Sequence, residues 1–257
     1  MKLISITDIT GYLFCPRKIY LKLVKGIKEK PNEKMILGMI RHKIFDDFNK
    51  NEQAIVESIT KPKTTSEIKS LYRDSLTSMM NKVMSNYSNM LKTWNIDKSE
   101  FQEVKEKIEK ETEPKISSLL ETIKKGFLGR QLWENLKPKF ITEYELVSEK
   151  FGLKGRIDRL EIGDILIPYE IKSRENIYDS DKIQLAAYAL LLESAFNKKI
   201  SFGIIETKSK KEEIIINEQM KKQVLEIADK IRNMQDAEIT SNFAKCQNCG
   251  LREECFS

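Results

Sequence analysis

Long apolar runs are missing from this chain of 257 residues. None approaches the roughly 20 consecutive apolar residues that a bilayer-spanning helix needs. No targeting segment is visible in the opening Met1-Lys2-Leu3-Ile4, so the expectation is a cytoplasmic protein with no membrane partner. Histidine is nearly absent: His42 is the only one, and any imidazole ligand must come from that position. Cysteine is confined to Cys15, Cys246, Cys249 and Cys255. With no secretory segment, and a chain large enough to bury its own core, a disulfide framework is a poor reading of these four. Proline is sparse, so each one punctuates. Neither sign of charge is lacking, and 45 Lys and Arg against 39 Asp and Glu leave a net charge of +6. That surplus leans toward a polyanionic partner without establishing one.

What is present concentrates between Gly155 and Tyr188. Gly155-Arg156-Ile157-Asp158 closes toward the end of an extended run, Leu153 to Leu160. Glu161-Ile162-Gly163-Asp164 reads as a hairpin turn, and Ile165 to Lys172 as the returning strand. Glu170 and Lys172 are two apart and share a face of that strand. Pro168 cannot donate to a ladder, which predicts an edge strand or a bulge there. An Asp, a Glu and a Lys on adjacent strands can hold a hard divalent cation and activate water beside a phosphodiester. An E-x-K triplet alone is weak, because 33% of the chain is charged. Gln184 and Tyr188 follow at i and i+4, on one face of a helix expected over Asp181 to Phe196. Glu143 and Glu145 precede Asp158 on the neighbouring strand; either could approach the site, with an exposed strand carboxylate the preferred reading.

Three cysteines form C-x-x-C-x-x-x-x-x-C near the last residue, and Cys15 lies in Phe14-Cys15-Pro16-Arg17. Four thiolates suit a tetrahedral zinc or an iron–sulfur cluster, and spacing alone permits both.

In order, these motifs resemble the RecB-like branch of the PD-(D/E)xK nuclease superfamily. That branch is marked by a histidine, then G-x-x-D, E-x-K and a helix with Q-x-x-x-Y. Here these are His42, Gly155 to Asp158, Glu170 to Lys172, and Gln184 to Tyr188. The resemblance implies an α/β fold, a mixed central sheet flanked by helices. It adds a helical insertion and an iron–sulfur cluster joining the N- and C-terminal segments. It implies Asp158, Glu170 and the Ile171 backbone carbonyl as ligands of Mn²⁺ or Mg²⁺, His42 as a further ligand, and Lys172 as the catalytic lysine. An imidazole ligand leans the choice toward manganese. Gln184 and Tyr188 would line the site and hold substrate, with Tyr188 available to stack on bases. The Cys15-Pro16-Arg17 segment, paired with Cys246, Cys249 and Cys255, looks like the iron–sulfur CRISPR-associated exonucleases and the AddB helicase–nuclease subunit. The implied cargo is a 4Fe–4S cluster, structural and DNA-gripping in role.

The implied activity is a metal-dependent DNA nuclease, a 5′-to-3′ exonuclease on single-stranded DNA or frayed ends. The implied setting is CRISPR spacer acquisition with the integrase complex as partner. A viral or mobile-element recombination or replication nuclease is the alternative setting. A non-catalytic nucleic-acid-binding module and a zinc-ribbon interaction protein are the alternative classes. The intact His42, Asp158, Glu170 and Lys172 weigh against the first of these classes, and the ordered Gln184 and Tyr188 against the second.

The expected layout is an N-terminal helical segment over 1–50 with Cys15 and His42, a helical insertion over 51–139, a nuclease core over 140–240 and a cysteine cluster over 241–257. Within the insertion, Ser66 to Leu91 and Ser99 to Leu136 show helical spacing, punctuated by Pro62, Pro114 and Pro138. In the core, Ile141 to Phe151, Leu153 to Leu160 and Ile165 to Lys172 are expected as an antiparallel meander. Strands Ser201 to Glu206 and Glu213 to Ile216 follow, then a helix from Glu218.

Overall fold

The computed structural model describes residues 2–29, 31–172, 174–239, 243–247 and 249–256. The start of the expected cysteine segment, at 241, lies outside the described residues. In chain order come β1 (Ile4–Ser5), α1 (Ile6–Phe14) and α2 (Pro16–Leu23), then α3 (Glu33–Glu57), α4 (Thr65–Asn86) and α5 (Ser88–Thr93). A 3₁₀ turn at Lys98–Phe101 leads into α6 (Gln102–Lys124) and α7 (Gly129–Asn135). Then follow β2 (Lys139–Ser148), β3 (Leu153–Ile162), β4 (Leu166–Ile171), α8 (Asp179–Phe196), β5 (Phe202–Glu206), β6 (Lys211–Ile215), α9 (Glu218–Arg232), α10 (Phe243–Cys246) and α11 (Arg252–Phe256).

These elements divide into two compact units, Met1–Asn32 with Glu143–Ser257, and Glu33–Thr142. The first holds the sheet, ordered β1-β3-β4-β5-β6 with β2 also paired to β3. It is mixed: β3 and β4 are antiparallel through Arg159↔Tyr169, whereas β4 and β5 are parallel through Glu170↔Ile205. A parallel pair needs a crossover, and α8 provides it. That helix is apolar nearly all round, with Leu185, Ala186, Ala187, Ala189, Leu191 and Leu192 all buried, as a helix packed on both sides must be. The close fit explains Gly155. A Cβ there would stand 2.5 Å from Ile6 Cδ1 and 3.2 Å from Leu191 Cδ1.

Two expectations need correction. β4 lies between β3 and β5, so Pro168 is neither on an edge strand nor marks one. Its pairing with β5 begins one residue later, at Tyr169. Gly203 leaves the room, since a Cβ at that position would meet Pro168 O at 3.0 Å and Pro168 Cγ at 3.2 Å. The expected N-terminal helical segment is not continuous through Cys15. Cys15 itself is extended (φ −162°, ψ 115°), ending α1 and starting α2, with Pro16 at the first helical position where its missing N–H costs nothing. The two-residue β1, parallel to β3, is too short to announce itself in sequence.

On the sheet face opposite Asp158 and Glu170, Arg159 and Glu206 form an ion pair of 2.5 Å with side chains 5% and 1% exposed. Lys211 reaches the same Glu206 oxygen at 3.1 Å. The Arg159 guanidinium lies 4.3 Å above the Tyr169 ring, whose hydroxyl donates to Glu161 at 2.6 Å.

The second unit is helical. Ile40, Ile44 and Phe48 from α3, Ile68 and Leu76 from α4, Ile108 and Leu119 from α6, and Leu132 from α7 form its core. α6 runs through position 114, where the sequence suggested a break. Thr64 opens α4 with a capping box, its side chain accepting from the Glu67 N–H while Glu67 accepts from the Thr64 N–H. The buried Glu52 receives Lys115 at 2.8 Å. His42 lies on α3 and so belongs to this unit.

Candidate active site

The antiparallel register of β3 and β4, carried one step past Arg159↔Tyr169, sets Asp158 beside Glu170 at the open end of the hairpin. Asp158 Oδ2 accepts the Ile171 N–H at 2.8 Å, which locks its carboxylate to the neighbouring strand. Glu170 is buried, at 3% exposure. One of its oxygens accepts the Tyr188 hydroxyl at 2.7 Å and the other the Lys172 ammonium at 2.5 Å. α8 closes the circuit. Gln184 Oε1 accepts from Lys172 at 3.1 Å, and Gln184 Nε2 donates to the Tyr188 oxygen at 2.9 Å. The i and i+4 spacing of Gln184 and Tyr188 thus puts both groups on the two residues of the E-x-K motif.

The electrostatics follow from burial. Desolvation alone would lower the Lys172 pKa, but the Glu170 carboxylate overcomes it through charge and hydrogen bond, helped by Asp181 and Asp158, and the pKa is raised. Lys172 is therefore an ammonium at neutral pH and not a proton acceptor. Burial, reinforced by the Glu170 and Asp158 charges, pushes the Tyr188 hydroxyl well above its ordinary value. It stays protonated and remains a donor. Tyr188 is also 1% exposed, so it offers bases no face to stack on. Its ring belongs to the core and its hydroxyl to the site.

Two carboxylates and a backbone carbonyl on adjoining strands are hard oxygen donors, the set that suits Mg²⁺ or Mn²⁺. Asp158, Glu170 and the Ile171 carbonyl offer donors of that kind. Sequence reasoning undervalued Glu143. Its backbone is left-handed (φ 50°), which breaks the alternation that would pair it with Glu145 on one exposed face. Glu145 is exposed; Glu143 is not. The Glu143 side chain is 13% exposed, binds Arg156 Nε at 2.6 Å, and brings its carboxylate within 4.8 Å of that of Asp158. Asp181, which the sequence placed only at a helix start, is 2% exposed and accepts Arg174 at 2.6 and 2.7 Å. No signal in the sequence distinguishes either acid from the many others.

The four cysteines meet in the first unit. Cys15, Cys246, Cys249 and Cys255 line one cavity with Phe14, Leu21 and Leu251. Burial raises the Cys255 thiol pKa despite a hydrogen bond from Arg17.

A family model described as the PD-(D/E)XK nuclease superfamily matches residues 3–256. Among curated proteins, a CRISPR-associated exonuclease Cas4/endonuclease Cas1 fusion from Leptospira interrogans serogroup Icterohaemorrhagiae serovar Lai (strain 56601) is 31% identical over 150 residues, 51% of this chain. The match spans 28% of that fusion's length. Among solved structures, a crystal structure of SSO0001 covers 97% of this chain and 84% of its own at 16% identity, with a TM-score of 0.39, a likeness too loose to bear on the site.

Proposed function

The chain belongs to the PD-(D/E)XK nuclease superfamily, and from that footing we propose a metal-dependent deoxyribonuclease centred on Asp158, Glu170, the Ile171 carbonyl and Lys172. The observation that carries the reading is the joined array: Asp158 tied to β4 at 2.8 Å, and Glu170 held between Tyr188 and Lys172. A divalent cation bound by Asp158, Glu170 and the Ile171 carbonyl supplies charge neutralisation at the phosphate and a water of lowered pKa. The motif order adds His42 as a further ligand. Lys172 carries its charge toward the phosphate oxygens. Gln184 and Tyr188 serve strand binding indirectly, by fixing the groups that meet the scissile phosphate.

The identity to a Cas4/Cas1 fusion supports the finer reading. The protein acts in the cytoplasm as a 5′-to-3′ exonuclease on single-stranded DNA or frayed ends, preparing DNA for CRISPR spacer acquisition beside the integrase complex. The helical stretch over 51–139 is its insertion. The four cysteines carry a 4Fe–4S cluster, a reading supported by the cavity they share. End-labelled oligonucleotides incubated with Mn²⁺ test the function. Wild-type protein should shorten single strands from the 5′ end, and Glu170→Ala should not. Cleavage by Glu170→Ala at the wild-type rate overturns the site, and release from the 3′ end overturns the polarity.

A further inference from the structure

Lys172 stands between two carboxylates. Its Nζ is 2.5 Å from Glu170 Oε1 and 3.5 Å from Asp181 Oδ1, and both acid side chains are 3% exposed. At that depth their charges are poorly screened by solvent. Asp181 is itself fixed from another side. Arg174 reaches both its oxygens at 2.6 and 2.7 Å, and the Tyr178 N–H donates to Oδ2 at 2.8 Å. None of those partners belongs to the E-x-K motif, so Asp181 holds its place whatever Glu170 does.

We infer that Asp181 is a positioning residue that retains Lys172 when Glu170 turns its carboxylate to a divalent cation. The inference rests on the cation site proposed above. Tyr188 occupies Glu170 Oε2 and Lys172 occupies Oε1. A cation taking Glu170 must therefore share an oxygen with one of them, and it repels the ammonium already there. Asp181 offers the ammonium a second negative group, and Gln184 Oε1 at 3.1 Å keeps it oriented. Without Asp181, Lys172 has Glu170 as its sole close counter-charge among these contacts, and ammonium and cation compete for it. The plainer role, a carboxylate in the first turn of α8 favoured by the helix dipole, predicts lost stability and no link to Lys172.

The test is Mn²⁺ affinity by calorimetry on the full chain without DNA. It compares wild type, Asp181→Asn, Lys172→Met and the double variant. Asp181→Asn should weaken Mn²⁺ binding about tenfold, and that effect should vanish in the Lys172→Met background. An equal loss in both backgrounds signals a general field effect and overturns the inference. Wild-type Mn²⁺ binding with an unaffected Asp181→Asn sinks the inference alone; no binding by wild type sinks the cation site and the inference with it. Arg174→Gln carries the test should Asp181→Asn fail to fold. The Tyr178 N–H, at 2.8 Å, still holds Asp181 and its charge is left to Lys172, so Mn²⁺ should bind at least as tightly as in wild type, and weaker binding overturns the inference.

Discussion

Tyr188→Phe isolates one hydroxyl at the centre of the site. The ring stays, so the buried volume and its packing against the α8 core are conserved and no cavity opens. What goes is a donor to Glu170 at 2.7 Å and an acceptor for Gln184 at 2.9 Å. A hydrogen bond to a charged group contributes about 1.5–3 kcal/mol, and stranding the buried Gln184 donor costs about 1 kcal/mol more. The sum is about 3 kcal/mol, or roughly 6–12 °C in Tm for a chain of this size. Losing the bond that fixes one Glu170 oxygen should also lower Mn²⁺-dependent cleavage by about 10- to 100-fold, the usual effect of removing the partner of a metal ligand. Thermal denaturation and single-turnover cleavage of a labelled oligonucleotide read the two effects separately. Because the Tyr188 hydroxyl is held well above its ordinary pKa, both differences should persist unchanged through the neutral pH range. A variant with wild-type Tm and wild-type rate would refute the role given to this hydroxyl.

Cys15→Ala should lose iron and melt at lower temperature, since the cavity it lines draws its other three thiols from the far end of the sequence; full iron content per chain in this variant overturns the four-cysteine cluster. Gly155→Ala should cost about 1–3 kcal/mol, because its Cβ would fall 2.5 Å from the buried Ile6, and an unshifted denaturant midpoint would contradict the close packing of α1 and α8 on β3. Glu67 is held below its ordinary 4.5 by hydrogen bonds from the Thr64 backbone and hydroxyl. A depressed carboxyl contributes stability above its unfolded pKa and loses it as pH falls through the folded value. The Tm advantage of wild type over Glu67→Gln should therefore shrink in acid, and a gap independent of pH counts against the capping box.

The sequence by itself determined the α/β character, most element positions and the motif residues, because those rest on local patterns. Alternation marked β3 and β4, helical spacing marked α8, and Gln184 and Tyr188 had to share a helix face. Family membership was equally legible, since Gly155, Asp158, Glu170 and Lys172 lie in a short ordered stretch. Tertiary structure decided what depends on a neighbour distant in sequence. Pro168 fits a central strand because Gly203 makes room for it. Tyr188 turns inward because β4 offers Glu170 as its partner. Glu143 leaves the exposed face through one left-handed residue, and Asp181 becomes the second counter-charge of Lys172 only after α8 packs on the sheet. Arg159 and Glu206 look like surface charges in sequence and are buried together. In each case the deciding quantity is the burial and pairing of a polar group, which no window along the chain contains.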